Sequence, residues 1–390
     1  MLTLGTFAAG TDLLVIAGIL PAMATQLSVS ISSAGLLVTA FAITYALASP
    51  ILTTITTTVN RRILLVSALG LFTAGNALSA LAPNYDFLML ARIITGVGVS
   101  LYTPTAYATA SLLVPQELRG RALATVVAGF TISTVIGVPV GSFVGDAFGW
   151  RITFWLVTVM GLVSLIVLGA IFPSVEGTRY AGFKARFSPV LKPSIALSLG
   201  TITMWAISTW AFYTYIAPLL NHYADLSGSA ISALLLFVGV GSIAGNAIGG
   251  YGADRFGALS TGTLSLVSRT ALFVTVPLIS ISILGASSAM FLYGLLSWMI
   301  FVPQQAHLLT LAPEASSIVL SLNNSFLYGG GAVGSAIGGA VLSNYSFFGL
   351  IVVVVAFNAV ALGFQLSTRK LATASRIETV ADKSESAVAL

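Results

Sequence analysis

The sequence predicts an all-α membrane protein whose twelve spanning helices form two pseudosymmetric six-helix halves. Three observations predict it. Only 7% of the 390 residues are charged and 57% are hydrophobic. A soluble domain carries ~25% charged residues, so this chain cannot cover a globule with polar side chains. Apolar runs near the ~20 residues a helix needs to cross a bilayer recur along the whole length. Finally, the basic residues sort to one side of the predicted spans.

The spans are read at 4–26, 34–57, 63–82, 87–109, 122–144, 151–172, 194–219, 229–251, 259–283, 286–309, 317–341 and 346–367. The first lacks a basic leader and further apolar runs follow at once, so it is read as a retained span. Most connections are short and polar. The exception, PSVEGTRYAGFKARFSPVLKP, divides the chain into an N-terminal half (1–172), a linker (173–193), a C-terminal half (194–367) and a tail (368–390). The tail is polar and poor in aromatics and is expected to be disordered, with at most a short amphipathic turn. With the N-terminus in the cytoplasm, Arg61, Arg62, Arg119, Arg121, Arg179, Lys184, Arg186, Lys192, Arg255, Arg369, Lys370, Arg376 and Lys383 all fall inside. Arg151 alone falls outside, and Arg92 and Arg269 lie within spans. This is the positive-inside pattern; a missed or invented helix would scatter the charges.

Several function classes drop out. The absence of cysteine excludes disulfides and thiol catalysis. The only histidines, His222 in an outer loop and His307 near the inner end of the tenth span, lie far apart and argue against a metal site. The net charge of +5 reflects the loop bias rather than a nucleic-acid footprint. No P-loop or nucleophile–base pair is found, so no enzyme and no cofactor is expected. The expected partners are the lipid bilayer, a small-molecule substrate and protons, with the protein acting as a monomer.

Small residues recur every fourth position in three spans: Gly137, Gly141 and Gly145 in the fifth, Gly241, Gly245 and Gly249 in the eighth, and Gly330, Gly334 and Gly338 in the eleventh. The second carries a weaker set, Ala42, Ala46 and Pro50. Such spacing lets helix backbones approach closely. The spans lie three apart, as a three-helix unit of duplication requires.

Two six-helix halves, a basic central loop and nested three-helix repeats resemble the major facilitator superfamily. GGYGADRFG, with Gly249, Asp254 and Arg255, resembles the superfamily's loop motif in its second-half copy. The first-half copy, TTTVNRRILL, keeps Arg61 and Arg62 but has Asn60 where the motif carries an acid. LMLARIITGVGVS resembles the motif built on an intramembrane Arg, here Arg92. GFTISTVIGVPVGSFVG resembles the antiporter motif, through Gly129, Gly137, Pro139 and Gly141. TDLLVIAGILP, GNALSALAPNY and QQAHLLTLAPEASS are similar to the arabinose-efflux-permease-like branch of drug:proton antiporters. The resemblance implies proton-coupled efflux of small organic molecules such as drugs across the cytoplasmic (inner) membrane, with both termini inside. Purine base, nucleoside or sugar export, and a uniporter on the same fold, are the alternatives.

Asp12 lies roughly 14 Å into the first span at 1.5 Å per residue, near mid-membrane. An ionised acid there costs ~2.5–3.5 kcal/mol on insertion scales. Burial disfavours the charged form, so Asp12 is expected to hold a proton when dry and release it when water arrives. The alternative is an acid bonded to Thr11 or Thr6. Arg92 is the natural counter-ion, yet residue counting leaves an axial gap of about 13 Å between them. Arg269, also mid-membrane, is expected to bond carbonyls of neighbouring helices.

The resemblance further implies that the first, fourth, seventh and tenth helices line a central cavity. On these, Tyr102, Trp205, Phe212, Tyr213, Trp298, Gln304 and Gln305 are the candidate substrate residues. Aromatic faces stack on flat rings and glutamines orient polar edges. Trp298 and Gln305 are seven apart and share a helix face.

Overall fold

A computed structural model describes residues 1–115, 118–177, 191–312 and 316–388. Among these, twelve helices are long and apolar enough to cross a membrane. They are α1 Leu2–Gln26, α2 Ile31–Ile55, α3 Arg61–Leu81, α4 Tyr85–Ala110, α5 Arg121–Phe148, α6 Trp150–Ile171, α7 Pro193–Tyr213, α8 Ser229–Phe256, α9 Ala258–Ile279, α10 Ile283–Leu311, α11 Ile318–Asn344 and α12 Phe347–Leu371. Leu47, Leu90, Ile166 and Leu278 lie exposed on their outer faces, as lipid-facing side chains do.

The ends follow from local chemistry. Ser30, Asn60, Asn84 and Ser282 cap α2, α3, α4 and α10, accepting backbone N–H groups at 3.0, 3.0, 2.9 and 3.1 Å. Gly149 and Gly257, at φ 92° and 89°, turn α5 into α6 and α8 into α9 within one residue; a side chain resists that conformation. Three prolines interrupt helices, because each lacks an N–H and frees the carbonyl four residues back. Before Pro139, α5 widens into a π-turn over Ser133–Gly137. Near Pro218, α7 stops at Tyr213 instead of reaching residue 219, and a short helix, Ile216–Ala224, follows. Near Pro303, α10 breaks between Trp298 and Phe301.

The glycine sets mark where backbones meet. Gly137, Gly141 and Gly145 lie against Thr11, Val15 and Ile19 of α1. Gly330, Gly334 and Gly338 lie against Thr203, Ile207 and Ala211 of α7, and Gly241, Gly245 and Gly249 against the carbonyls of Phe291, Leu295 and Met299 of α10. Gly96 of α4 meets the Phe41 carbonyl of α2. So the middle helix of each three-helix unit packs on the first helix of its partner unit: α5 on α1, α2 on α4, α11 on α7, α8 on α10. The halves join chiefly through α2 with α11 and α5 with α8. Tyr45 and Tyr328 stack across the first pair, ring centroids 3.7 Å apart. Ser232 bonds Ser142 across the second at 3.0 Å.

The expected motif residues take up structural positions. The Asn60 amide donates to Ser174 at 2.7 Å, Arg61 N–H to the Val175 carbonyl at 2.8 Å, and the Arg62 guanidinium to the Gly169 carbonyl. These bonds dock the α2–α3 loop on the end of α6, within one half. Asp254 and Arg255 are exposed at the end of α8, where Arg255 donates to Tyr251 at 2.9 Å. Linker residues 178–190, with Arg179, Lys184 and Arg186, lie outside the described residues. The tail differs from expectation: the last helix continues to Val388. No Gly or Pro follows Gly363, and the Ala, Lys, Arg and Glu of the tail favour helix.

Candidate functional site: a buried ion pair beside a central cavity

Asp12 and Arg92 meet directly. Nη1 of Arg92 donates to Oδ1 of Asp12 at 2.7 Å, and both side chains are fully buried. The 13 Å gap reckoned from span limits assumed that α1 and α4 end level, and they do not. Tyr102 donates its hydroxyl to the Leu2 carbonyl at 2.9 Å, which fixes the register. Ten residues separate Leu2 from Asp12, and ten separate Arg92 from Tyr102. Antiparallel helices in one register therefore bring both pairs together. The start of α4 falls near residue 19 of α1, which accounts for roughly 10 Å of the discrepancy at 1.5 Å per residue.

The pair has an apolar jacket. The Arg92 guanidinium lies over the rings of Phe41 and Phe154, at 4.7 and 5.7 Å. Oδ2 of Asp12 has no hydrogen-bond partner among the described residues. The nearby hydroxyls are spent elsewhere: Thr11 donates to the Phe7 carbonyl at 2.9 Å and Thr6 to the Val126 carbonyl at 2.7 Å. Thr11 in turn lies against Gly137, at the end of the π-turn of α5. The antiporter-like motif thus forms the wall that α1 rests on at the level of its acid.

Beside the pair, at the joint of the two halves, lies a cavity of about 60 Å³. Trp205, Thr209, Trp210 and Tyr213 of α7 line it, with Leu13 and Leu14 of α1, Phe130 and Thr134 of α5, Tyr293, Trp298 and Phe301 of α10, and side chains of α8 and α11. Of the candidate substrate residues, Trp205, Tyr213 and Trp298 are on this wall. Tyr102 is not, since its hydroxyl reaches Leu2. Phe212 packs on Phe273 and Tyr293, with centroids 5.2 and 4.7 Å away. Gln304 is buried and donates to the Ser198 carbonyl at 2.6 Å, and Gln305 lies off the wall. The lining also departs from the expected set of helices. No α4 residue borders the cavity, while α5, α8 and α11 contribute. Thr209 was missed, although Trp205, Thr209 and Tyr213 at successive i, i+4 spacing read as one helix face.

Arg269 is fully buried behind this wall. It bonds side chains rather than carbonyls: Thr209 at 2.7 Å, Asn358 at 3.2 Å and Ser208 at 3.5 Å. Trp205 and Phe273 present ring faces to it at 5.3 and 4.8 Å. A second cavity of about 410 Å³ opens on the side away from the termini, lined in part by Gly18, Asp146, Asn221 and His222. His222, expected in a solvated loop, sits on the short helix and stacks on Phe347 at 4.6 Å. The Tyr213 hydroxyl donates to the Leu14 carbonyl at 3.2 Å. Leu14 is one turn from Gly18, so this bond between the halves lies on the partition between the two cavities.

Two pseudosymmetric halves closing on a mid-depth cavity define a membrane transporter. The chain matches the model described as Major Facilitator Superfamily over residues 2–335, and it belongs to that superfamily. It is 31% identical over 374 residues to the inner membrane transport protein YdhP of Escherichia coli K12, covering 95% of each chain. It is 31% identical over 259 residues to a chloramphenicol resistance protein of Streptomyces lividans, covering 65% of this chain and 66% of that one. Among solved structures it superposes on a bacterial homologue of the human lysosomal transporter Spinster, with a TM-score of 0.73, 18% identity and 95% coverage of both chains.

Proposed function

We propose that this protein exports small aromatic or amphipathic organic molecules across the cytoplasmic membrane in exchange for protons, with both termini in the cytoplasm. The observation that carries the reading is the fully buried Asp12–Arg92 pair at mid-depth on α1. Protonating Asp12 removes the negative partner of the ion pair and leaves Arg92 a weaker bond to a neutral carboxyl group. That loosens α1 from α4 two residues before Leu14, whose carbonyl holds Tyr213 of the other half. A proton on Asp12 therefore biases the contact that divides the two cavities. Drug efflux as the task is supported by the likeness to a chloramphenicol resistance protein and by a wall rich in tryptophan and tyrosine.

The cavity of about 60 Å³ is far below the ~300–1,000 Å³ of drug-sized sites. Substrate enters only when the halves part, as alternating access requires.

The test is proton movement in proteoliposomes. With chloramphenicol as the probe, wild type should alkalinise the compartment that supplies protons, and Asp12→Asn should abolish that signal while retaining binding. Full-rate transport by Asp12→Asn without a gradient would sink proton exchange.

A further inference from the structure

In each half a buried arginine donates to the same place on the first helix. Asp12 of α1 lies nine residues before Pro21 of the same helix, and Thr209 of α7 nine residues before Pro218 of the short helix that follows it. Arg92 reaches the first at 2.7 Å and Arg269 the second at 2.7 Å. The first position is an acid and the second a hydroxyl, so Arg92 meets a carboxylate on the first helix of its half and Arg269 does not. Among the described residues no carboxylate pairs with Arg269. Its partners are the neutral oxygens of Thr209, Asn358 and Ser208 and the faces of Trp205 and Phe273. A buried charge is costly unless it is paired, and an arginine cannot shed its proton to escape that cost.

Arg269 stands one side chain behind the central cavity, since Thr209 and Trp205, which it touches, are both on the wall. Two polar atoms at this place have no partner among the described residues, Trp205 Nε1 and Arg269 Nε, and both are donors. The first half does not cancel the charge, because Asp12 already neutralises Arg92 when ionised and leaves a further positive charge when protonated.

We infer that the substrate supplies the missing negative charge: the cavity takes aromatic organic molecules that carry an anionic or electron-rich group and turns away organic cations, with Arg269 as the specificity determinant. The inference rests on the central cavity being the substrate site of the proposed transporter.

The test uses full-length protein in nanodiscs and three naphthalene probes that differ only in a carboxylate, an alcohol or a trimethylammonium group. Binding is read by calorimetry, with empty nanodiscs subtracted. Wild type should bind the carboxylate at least ten-fold more tightly than the trimethylammonium probe. Arg269→Gln should reduce that ratio about ten-fold and leave the alcohol unchanged. Arg269→Lys should keep the order, and Thr209→Asp, which supplies the missing acid, should erase or reverse it. If Arg269→Gln does not fold, the other two variants decide. A wild-type ratio near one or favouring the cation, ratios unmoved by Arg269→Gln and Thr209→Asp, or no binding of any probe would each overturn the inference. The readout needs no gradient, so a wild-type preference for cations leaves proton exchange standing, and absent proton movement leaves the charge preference standing.

Discussion

Removing the two partners of the buried pair should have unequal consequences, and the inequality tests the assignment. The charge centres of a carboxylate and a guanidinium in contact lie ~4 Å apart, which corresponds to ~4 kcal/mol at an effective dielectric of about 20. Removing one partner of a buried pair costs ~3–5 kcal/mol, mostly because the other charge is stranded. In Asp12→Leu the stranded group is Arg92, which stays charged. The rings of Phe41 and Phe154, at 4.7 and 5.7 Å, still face it. Each such contact contributes ~0.5–2 kcal/mol, so the expected loss is near the lower end, about 3 kcal/mol. In Arg92→Leu the stranded group is Asp12, which can take up a proton and become neutral, so the loss should be smaller. The double variant removes both charges and should return to within about 1 kcal/mol of wild type while failing to move protons. Reversible unfolding in mixed SDS micelles measures all three. A double variant as unstable as the two single losses combined, or a greater loss from Arg92→Leu than from Asp12→Leu, would refute the reasoning.

Two further predictions concern packing and the contact between halves. A methyl at Gly245 would enter the Leu295 backbone carbonyl, and one at Gly137 would meet the Thr11 hydroxyl, whereas Gly70 and Gly363 have nothing within 4 Å of the new atom. Gly245→Ala should therefore lower stability by ~1–3 kcal/mol and Gly137→Ala by less, while Gly70→Ala and Gly363→Ala should gain up to ~1 kcal/mol; melting temperatures rank them. Tyr213→Phe deletes the 3.2 Å bond to the Leu14 carbonyl, a contribution of ~1 kcal/mol. Because the chain has no cysteine, a single one placed at Ala22 or Ile231 in the larger cavity reports opening, and Tyr213→Phe should label there faster. An unchanged rate would show that this bond does not close the partition.

Most of the architecture was legible because a bilayer imposes simple rules. Length and apolarity gave all twelve spans, and the glycine sets marked helices that pack closely without naming their partners. Less was legible wherever two helices fix each other's depth. Asp12 and Arg92 were each conspicuous as lone charges, but whether they touch depends on the α1–α4 register, which one bond from Tyr102 to Leu2 reveals and span limits conceal. Tyr102 and Gln304 illustrate the same limit from the other side. Both are polar-tipped side chains on helices expected to face the cavity, and both spend their polar atoms on a neighbouring helix backbone. Sequence indicates which helix carries a polar group, while only the packing decides whether that group faces a ligand or a carbonyl.

The position of Asp12 also constrains how exchange can work. Leu13 and Leu14 border the central cavity and Asp12 does not, so in this arrangement of the halves a substrate and a proton do not compete for one carboxylate. In the proposed cycle the coupling must pass through α1 itself. Three contacts of that helix lie within four residues: Thr11 on the π-turn of α5, Asp12 on Arg92 and Leu14 on Tyr213. The first two join α1 to its own half and the third to the other half. The π-turn of α5 ends in Gly137, which packs directly on Thr11, so α1 and α5 touch there with no side chain from α5 between them. Loss of the ion-pair charge would then be felt at Tyr213 as a displacement of the Leu14 carbonyl. Neutral and anionic substrates can be exchanged for protons by such a route, since it asks nothing of the substrate's own charge at Asp12. For the same reason Arg269 can set which ligand is accepted without taking part in the proton step.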